Sequence, residues 1–160
     1  MLSLVRFRDW TATDIDQIAA LVVRCDALTC EWAPDGWALP DGHAELEVTA
    51  WGQELDNQQW RAVVAVAADG SIVGVVGADG PHVASLFVEP RLHGQGLGTS
   101  LLENAEAQLR EVGHRRATLN VLVGSPAIRF YERNGWTPSG ERGHFDRFGM
   151  DVIGYEKALR

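Results

Sequence analysis

Between Leu86 and Thr99 the chain changes character in a way that few local structures accommodate. Leu86-Phe87-Val88 is apolar and strand-forming, Pro90 cannot donate to a strand ladder, and Gly94, Gly96 and Gly98 follow at alternate positions. From Thr99 to Glu111 a helix is predicted, because Leu101, Leu102, Ala105, Leu109 and Val112 form one apolar stripe that Gly113 closes. Three positions without side chains let main-chain amides come close to a ligand. The unpaired N–H groups that open a helix sit at the positive end of its dipole and suit a diphosphate. A Walker loop would carry lysine after its last glycine, where Thr99 stands, and a dinucleotide fingerprint would read Gly-x-Gly-x-x-Gly early in the chain. Neither fits. A plain strand-to-helix turn is the competing explanation of this stretch.

The other segments give a mixed order. Leu2–Phe7 reads as a strand, and Thr13-Asp14 opens a helix carrying Ile15, Ile18, Ala19, Val22 and Val23. Residues 28–60 are irregular, with a short helix expected around Ala44–Trp51 and four of the six tryptophans (Trp32, Trp37, Trp51, Trp60). Strands are expected at Arg61–Ala67, Ser71–Val76 and His82–Val88, the first two joined by a turn at Ala68-Asp69-Gly70. Ala117–Val123 is a further strand. Ser125-Pro126 caps a helix over Ala127–Asn134, and Trp136–Glu141 and Val152–Leu159 are strands. The fold class is α/β, a mixed α+β single domain over residues 1–160.

The 160 residues carry a net charge of −8. The charge is uneven: residues 1–80 hold four basic side chains (Arg6, Arg8, Arg24, Arg61) against thirteen acidic ones, and residues 81–160 hold ten against nine. Such a balance argues against nucleic acid as a partner, since phosphate neutralisation needs a basic face. It leaves room for a cationic ligand on the first half and an anionic one on the second, with solubility alone as the competing explanation. No apolar run approaches the roughly 20 residues that span a bilayer and no secretion signal is apparent, so a cytoplasmic protein without a membrane partner is expected. Cys25 and Cys30 are too few for a disulfide framework and read as buried thiols. The five histidines, His43, His82, His93, His114 and His144, lack metal-ligand spacing, so no metal is expected.

Two stretches resemble one family. Leu86 to Gly98 is similar to motif A of the GNAT acetyltransferase superfamily, a strand followed by Arg/Gln-x-x-Gly-x-Gly/Ala. The glycines correspond to Gly96 and Gly98, and His93 stands at the leading position; the frame beginning at Arg91 restores the arginine two residues early. Leu119 to Trp136 resembles motif B, a strand leading to Asn-x-x-Ala-x-x-x-Tyr-Glu-x-x-Gly-Phe/Trp, with Tyr131-Glu132 and Gly135-Trp136 in place. Gly124 or Ser125 occupies the Asn position.

The resemblance implies a central, mostly antiparallel, twisted sheet flanked by helices. It also implies acetyl transfer from acetyl-CoA to a primary amine by direct attack, without an acyl-enzyme. Leu86, Phe87 and Val88 would pair with pantetheine like an added strand, and His93, Gly94, Gln95, Gly96, Leu97, Gly98 and Thr99 would hold the pyrophosphate. Tyr131 matches the family's general acid. The strand glutamate that some relatives use as base falls on Leu122, and counting six residues back from Val88 gives His82, with Glu89 and a water chain as alternatives. The acceptor would be a small cationic amine or the amino group of a peptide, held by carboxylates and tryptophans of the first half; the same tryptophans could simply be core. A homodimer is compatible with the sequence. A non-catalytic acyl-CoA-binding or regulatory domain of the same fold is the alternative function.

Overall fold

The computed structural model describes residues 4–160. Strand β1 (Arg6–Asp9) leads through a short 3-10 turn into helix α1 (Ile15–Asp26), and α2 (His43–Glu54) follows after an irregular stretch. Next come β2 (Trp60–Val66), β3 (Ile72–Asp79), β4 (His82–Val88), α3 (Leu97–Val112), β5 (Arg116–Leu122), α4 (Ala127–Arg133), β6 (Thr137–Phe145) and β7 (Met150–Ala158). The described strands form one sheet in the order β1-β2-β3-β4-β5-β7-β6, antiparallel everywhere except between β4 and β5. The mixed α/β class and the mostly antiparallel sheet are as expected. Among the described residues, no helix is long and apolar enough to cross a membrane.

Both faces of the sheet are covered, which is why its middle strands are almost continuously apolar. Ala62, Val64, Val66, Ile72 and Val75 pack against Ile18, Leu21 and Val22 of α1 and Trp51 of α2. Val63, Ala65 and Val73 pack against Leu101, Leu102, Ala105 and Leu109 of α3. Helix α3 begins two residues before its expected start because Gly96 adopts a left-handed conformation (φ 87°) and buries Leu97. It ends in a Schellman closure, in which His114 N–H bonds Leu109 O and Gly113 N–H bonds Arg110 O, as Gly113 suggests.

Two differences have physical causes. The first strand, expected at Leu2–Phe7, has residues 1–3 outside the described part; the observed strand is Arg6–Asp9. All four of its residues are exposed, so no apolar alternation marks it. Pairing with Val63–Val66 fixes it instead, along with the bidentate bond of Arg8 to Asp14 at 2.8 and 2.9 Å. Strand β6 runs to Phe145 rather than Glu141: it is an exposed edge strand whose length is set by pairing with β7.

Candidate functional site

The site is built where the sheet parts. Strands β4 and β5 pair at one position only, His82 with Thr118, sealed by a bond from Thr118 N–H to Pro81 O of 3.0 Å. Beyond that point the two strands diverge. Seven of the eight residues of β3 are buried, but in the adjacent β4, also interior to the sheet, only Val83 is, so a cleft exposes it. An irregularity at Ala84, where Gly77 faces Ser85 and Ala78 faces Val83, lets β4 bend at the start of this opening.

The edge facing the cleft follows from the ladder. Glu89 N–H donates to Val73 O at 2.8 Å, so it points at β3 and the Val88 carbonyl points the other way, into the opening. By the same alternation the N–H and C=O of Leu86 and Val88 line the open edge, and those of Phe87 face β3. Val88 O accepts bonds from His93 Nε2 at 2.7 Å and Cys25 Sγ at 3.1 Å, leaving the other edge groups available.

The chain then enters α3. Gly94 (φ 78°) and Gly96 (φ 87°) hold left-handed conformations that a side chain resists, and a Cβ at either would meet only open space. The first bond of the helix runs from Ser100 N–H to Gly96 O, so the amides of Gly94 through Thr99 find no backbone acceptor among the described residues. Gly98 acts through packing instead. A Cβ there would lie 3.2 Å from Phe130 Cζ, so its absence lets α4 dock on the start of α3. Ser125 Oγ accepts from Ala127 N–H at 3.1 Å and caps α4.

Tyr131 follows Phe130 on α4, their rings 5.2 Å apart edge to face, with Trp136 6.3 Å beyond. Burial pushes its hydroxyl up to about 12. His82 sits at the closed end of the cleft with Nδ1 2.9 Å from Thr118 Oγ1, and burial holds its imidazole below the usual histidine value, only partly offset by Asp79. His82 is six residues from Val88, about 20 Å along an extended strand. Glu89 is engaged by Arg24, whose Nε and Nη2 both donate to Oε2 at 3.1 and 2.7 Å.

The cysteines separate. Cys25 is partly buried and its thiol is pushed up to about 12, chiefly by burial. Cys30, expected to be buried, is exposed, because it falls in the 3-10 turn after α1 instead of on its packed face. The tryptophans divide as well. Trp51 is core, in edge contact with Trp10 and Trp60, whereas Trp32 lines a cavity of about 620 Å³ with Pro34, Asp35, Val123, Met150 and Asp151. That cavity lies just past β5, on the side of the β6–β7 turn.

Sequence spacing gives no hint of one group. Asp26, His43, Glu47 and Arg147 come together although Arg147 is 104 residues from His43. Separations of that size leave no local periodicity, so only the tertiary structure reveals them.

A family model for the acetyltransferase (GNAT) domain matches residues 41–159. The chain belongs to the GNAT acetyltransferase family. It is 35% identical over 88 residues to a curated acetyltransferase of Agrobacterium fabrum, a match covering 55% of this chain and 63% of that protein's length. A GNAT-family acetyltransferase structure from Desulfovibrio desulfuricans is similar at a TM-score of 0.75 and 22% identity, over 98% of this chain and 99% of that one. The PaiA N-acetyltransferase of Thermoplasma acidophilum, solved in complex with coenzyme A, gives 0.73 and 16% over 96% and 98%. The spermidine N-acetyltransferase of Vibrio cholerae, solved with CoA and spermine, gives 0.69 and 18% over 98% and 96%. At these identities the structural likenesses establish the fold.

Proposed function

We propose that the protein is an acetyl-CoA-dependent N-acetyltransferase acting on the primary amine of a small cationic acceptor. The observation that carries this is two nearby sets of main-chain groups without backbone partners, the N–H and C=O of Leu86 with the N–H of Val88 on the open edge of β4, and the amides of Gly94 to Thr99. An extended amide chain ending in a diphosphate matches both sets: the edge of Leu86 and Val88 adds it as a strand, and the helix start holds the phosphates. His93 stands between the two, and its imidazole or the Cys25 thiol must leave Val88 O for that carbonyl to take a ligand donor. Acetyl-CoA supplies an activated acyl group with a thiolate leaving group.

The chain's own residues do the rest. Tyr131 presents a neutral hydroxyl to the departing sulfur. Held near 12, well above an ordinary thiol near 8.5, it stabilises developing charge as a hydrogen-bond donor before it gives up its proton. His82, neutral at pH 7 because burial disfavours its charged form, accepts the proton of the amine at Nε2 when Nδ1–H is given to Thr118. Glu89, paired with Arg24, is the weaker candidate base. The reacting amine lies at His82, and the acceptor's distal cationic groups reach the cavity past the far end of β5, about 16 Å along the strand, where Asp35 and Asp151 supply negative charge and Trp32 an aromatic wall. The spermidine enzyme of similar fold fits this class of acceptor.

Release of free thiol from acetyl-CoA in the presence of diamines, amino sugars and peptide amines tests the proposal directly. One feature favours the alternative of a non-catalytic coenzyme-binding domain: Leu122 stands where some relatives carry glutamate, and Gly124 or Ser125 where the family pattern has asparagine. Tight coenzyme binding without turnover on any amine would establish that alternative.

A further inference from the structure

The β6–β7 turn, residues 146–149, is tied to the helical half of the molecule by a set of partly buried polar contacts around the buried His43. Arg147 Nη1 donates to Glu47 Oε1 at 2.9 Å and approaches His43 Nδ1 at 3.5 Å; His43 Nε2 lies 2.8 Å from Asp26 Oδ2. A guanidinium can only donate, so Nδ1 is the acceptor and the ring proton sits on Nε2, directed at Asp26. The His43 side chain is 2% exposed and those of Glu47, Asp26 and Arg147 are 15%, 18% and 26% exposed. Asp26, His43 and Glu47 are metal-ligand types placed within 4.8 Å of one another, and the Arg147 cation is already paired with Glu47. Aromatic contacts extend the tie. Phe148 packs edge-on against Trp37 at 5.1 Å and against His43 at 5.5 Å, and Trp37 Nε1 donates to Phe148 O at 3.0 Å.

The two walls of the acceptor cavity hang from this tie. Trp32 to Asp35 lies between Asp26 on one side and Trp37 and His43 on the other, and Gly149 to Asp151 directly follows Phe148. Val123 at the end of β5 bonds Asp151 O through its own N–H, and the Trp32 ring rests against the neighbouring Gly124 by packing alone, so among the described residues the polar link between the walls is the one through Arg147 and Trp37.

We infer that Arg147, held by Glu47 and His43, is a positioning residue that fixes the distance between the two walls of the acceptor cavity and thereby sets affinity for the amine. The role of the cavity rests on the function proposed above; the mechanical tie does not. Asp26 is raised above the usual carboxylate range, mainly by burial, with His43 and Arg147 opposing that shift and Glu47 adding to it, as expected for a carboxylate enclosed with few water contacts. Both contacts come from the single nitrogen Nη1, at the far end of a side chain longer than that of lysine, so lysine should replace it only in part.

The test has two arms on the full chain. Hydrogen exchange of Arg147→Gln should show faster exchange in both 32–35 and 149–151 than in wild type, with Arg147→Lys in between. Acceleration confined to the turn itself, or none, overturns the inference. In kinetics with the diamine or amino sugar turned over fastest by wild type, Arg147→Gln should raise the amine KM about tenfold, with the acetyl-CoA KM within about twofold and Arg147→Lys recovering part of the loss. An unchanged amine KM, or an equal rise in both constants, also overturns it. Should Arg147→Gln fail to fold, Glu47→Ala removes the acceptor of the same bond and is read the same way. A wild type without turnover on any amine would end the proposed function, and the exchange arm would still decide the tie.

Discussion

Tyr131 and His82 are placed by the same physics with opposite consequences. Burial disfavours the charged form of each: the tyrosine keeps its proton to about pH 12, and the histidine loses its own earlier than a solvated imidazole would. Tyr131→Phe removes the donor while keeping the ring that packs between Phe130 and Trp136. Turnover should fall about 10²–10⁴-fold with the acetyl-CoA KM little changed, measured by thiol release. A pH–rate profile should rise through a value below about 6.5 and be flat from there to pH 8, the rising limb disappearing in His82→Ala. The same shift acts on stability. The fold prefers neutral His82, so its contribution is retained above about pH 6.5 and lost as pH falls and the unfolded chain takes up the proton first.

At the scale of elements, the glycines carry the argument. Gly94 and Gly96 are left-handed, so Gly96→Ala should strain the entry to α3 and weaken coenzyme binding at least about tenfold by calorimetry, with a smaller loss of thermal stability. Asp14 anchors the other end of the chain: it accepts from Arg8 and from Thr11 N–H, and Arg8 holds its carboxyl below the usual range. Asp14→Asn should therefore cost about 1–3 kcal/mol in denaturant unfolding at pH 7. The Asp14 contribution is full above about pH 4, where the unfolded carboxyl is ionised, and fades as pH falls through the lower folded value. These elements differ in how far the sequence reveals them. The course from β4 into α3 is legible because glycines, a proline and an apolar stripe each force a local conformation. Strand β1 and the outer half of β6 are not, because their residues are exposed and their structure comes from pairing with distant partners.

For the whole molecule, the uneven charge is visible in the sequence and the splay between β4 and β5 is not. A parting of strands is a property of two segments some thirty residues apart, and no residue within either announces it. The clustering of Asp26, His43, Glu47 and Arg147 is hidden for the same reason. The charge itself carries an expectation: with acidic residues concentrated in the half that supplies Trp32 and Asp35, kcat/KM for a dicationic amine should fall severalfold between about 0.01 and 0.15 M salt, as the screening length shortens from about 30 to 8 Å. A zwitterionic amino acid assayed alongside should show little change.

The central claim is that a coenzyme lies along the open edge of β4 with its diphosphate on the amides that begin α3. Titration of isotope-labelled protein with coenzyme A, followed through backbone amide resonances, measures this residue by residue. The account predicts that the largest shifts fall on Gly94 to Thr99 and on Leu86 and Val88, saturating together. Saturable binding whose shifts leave those amides unmoved would contradict it.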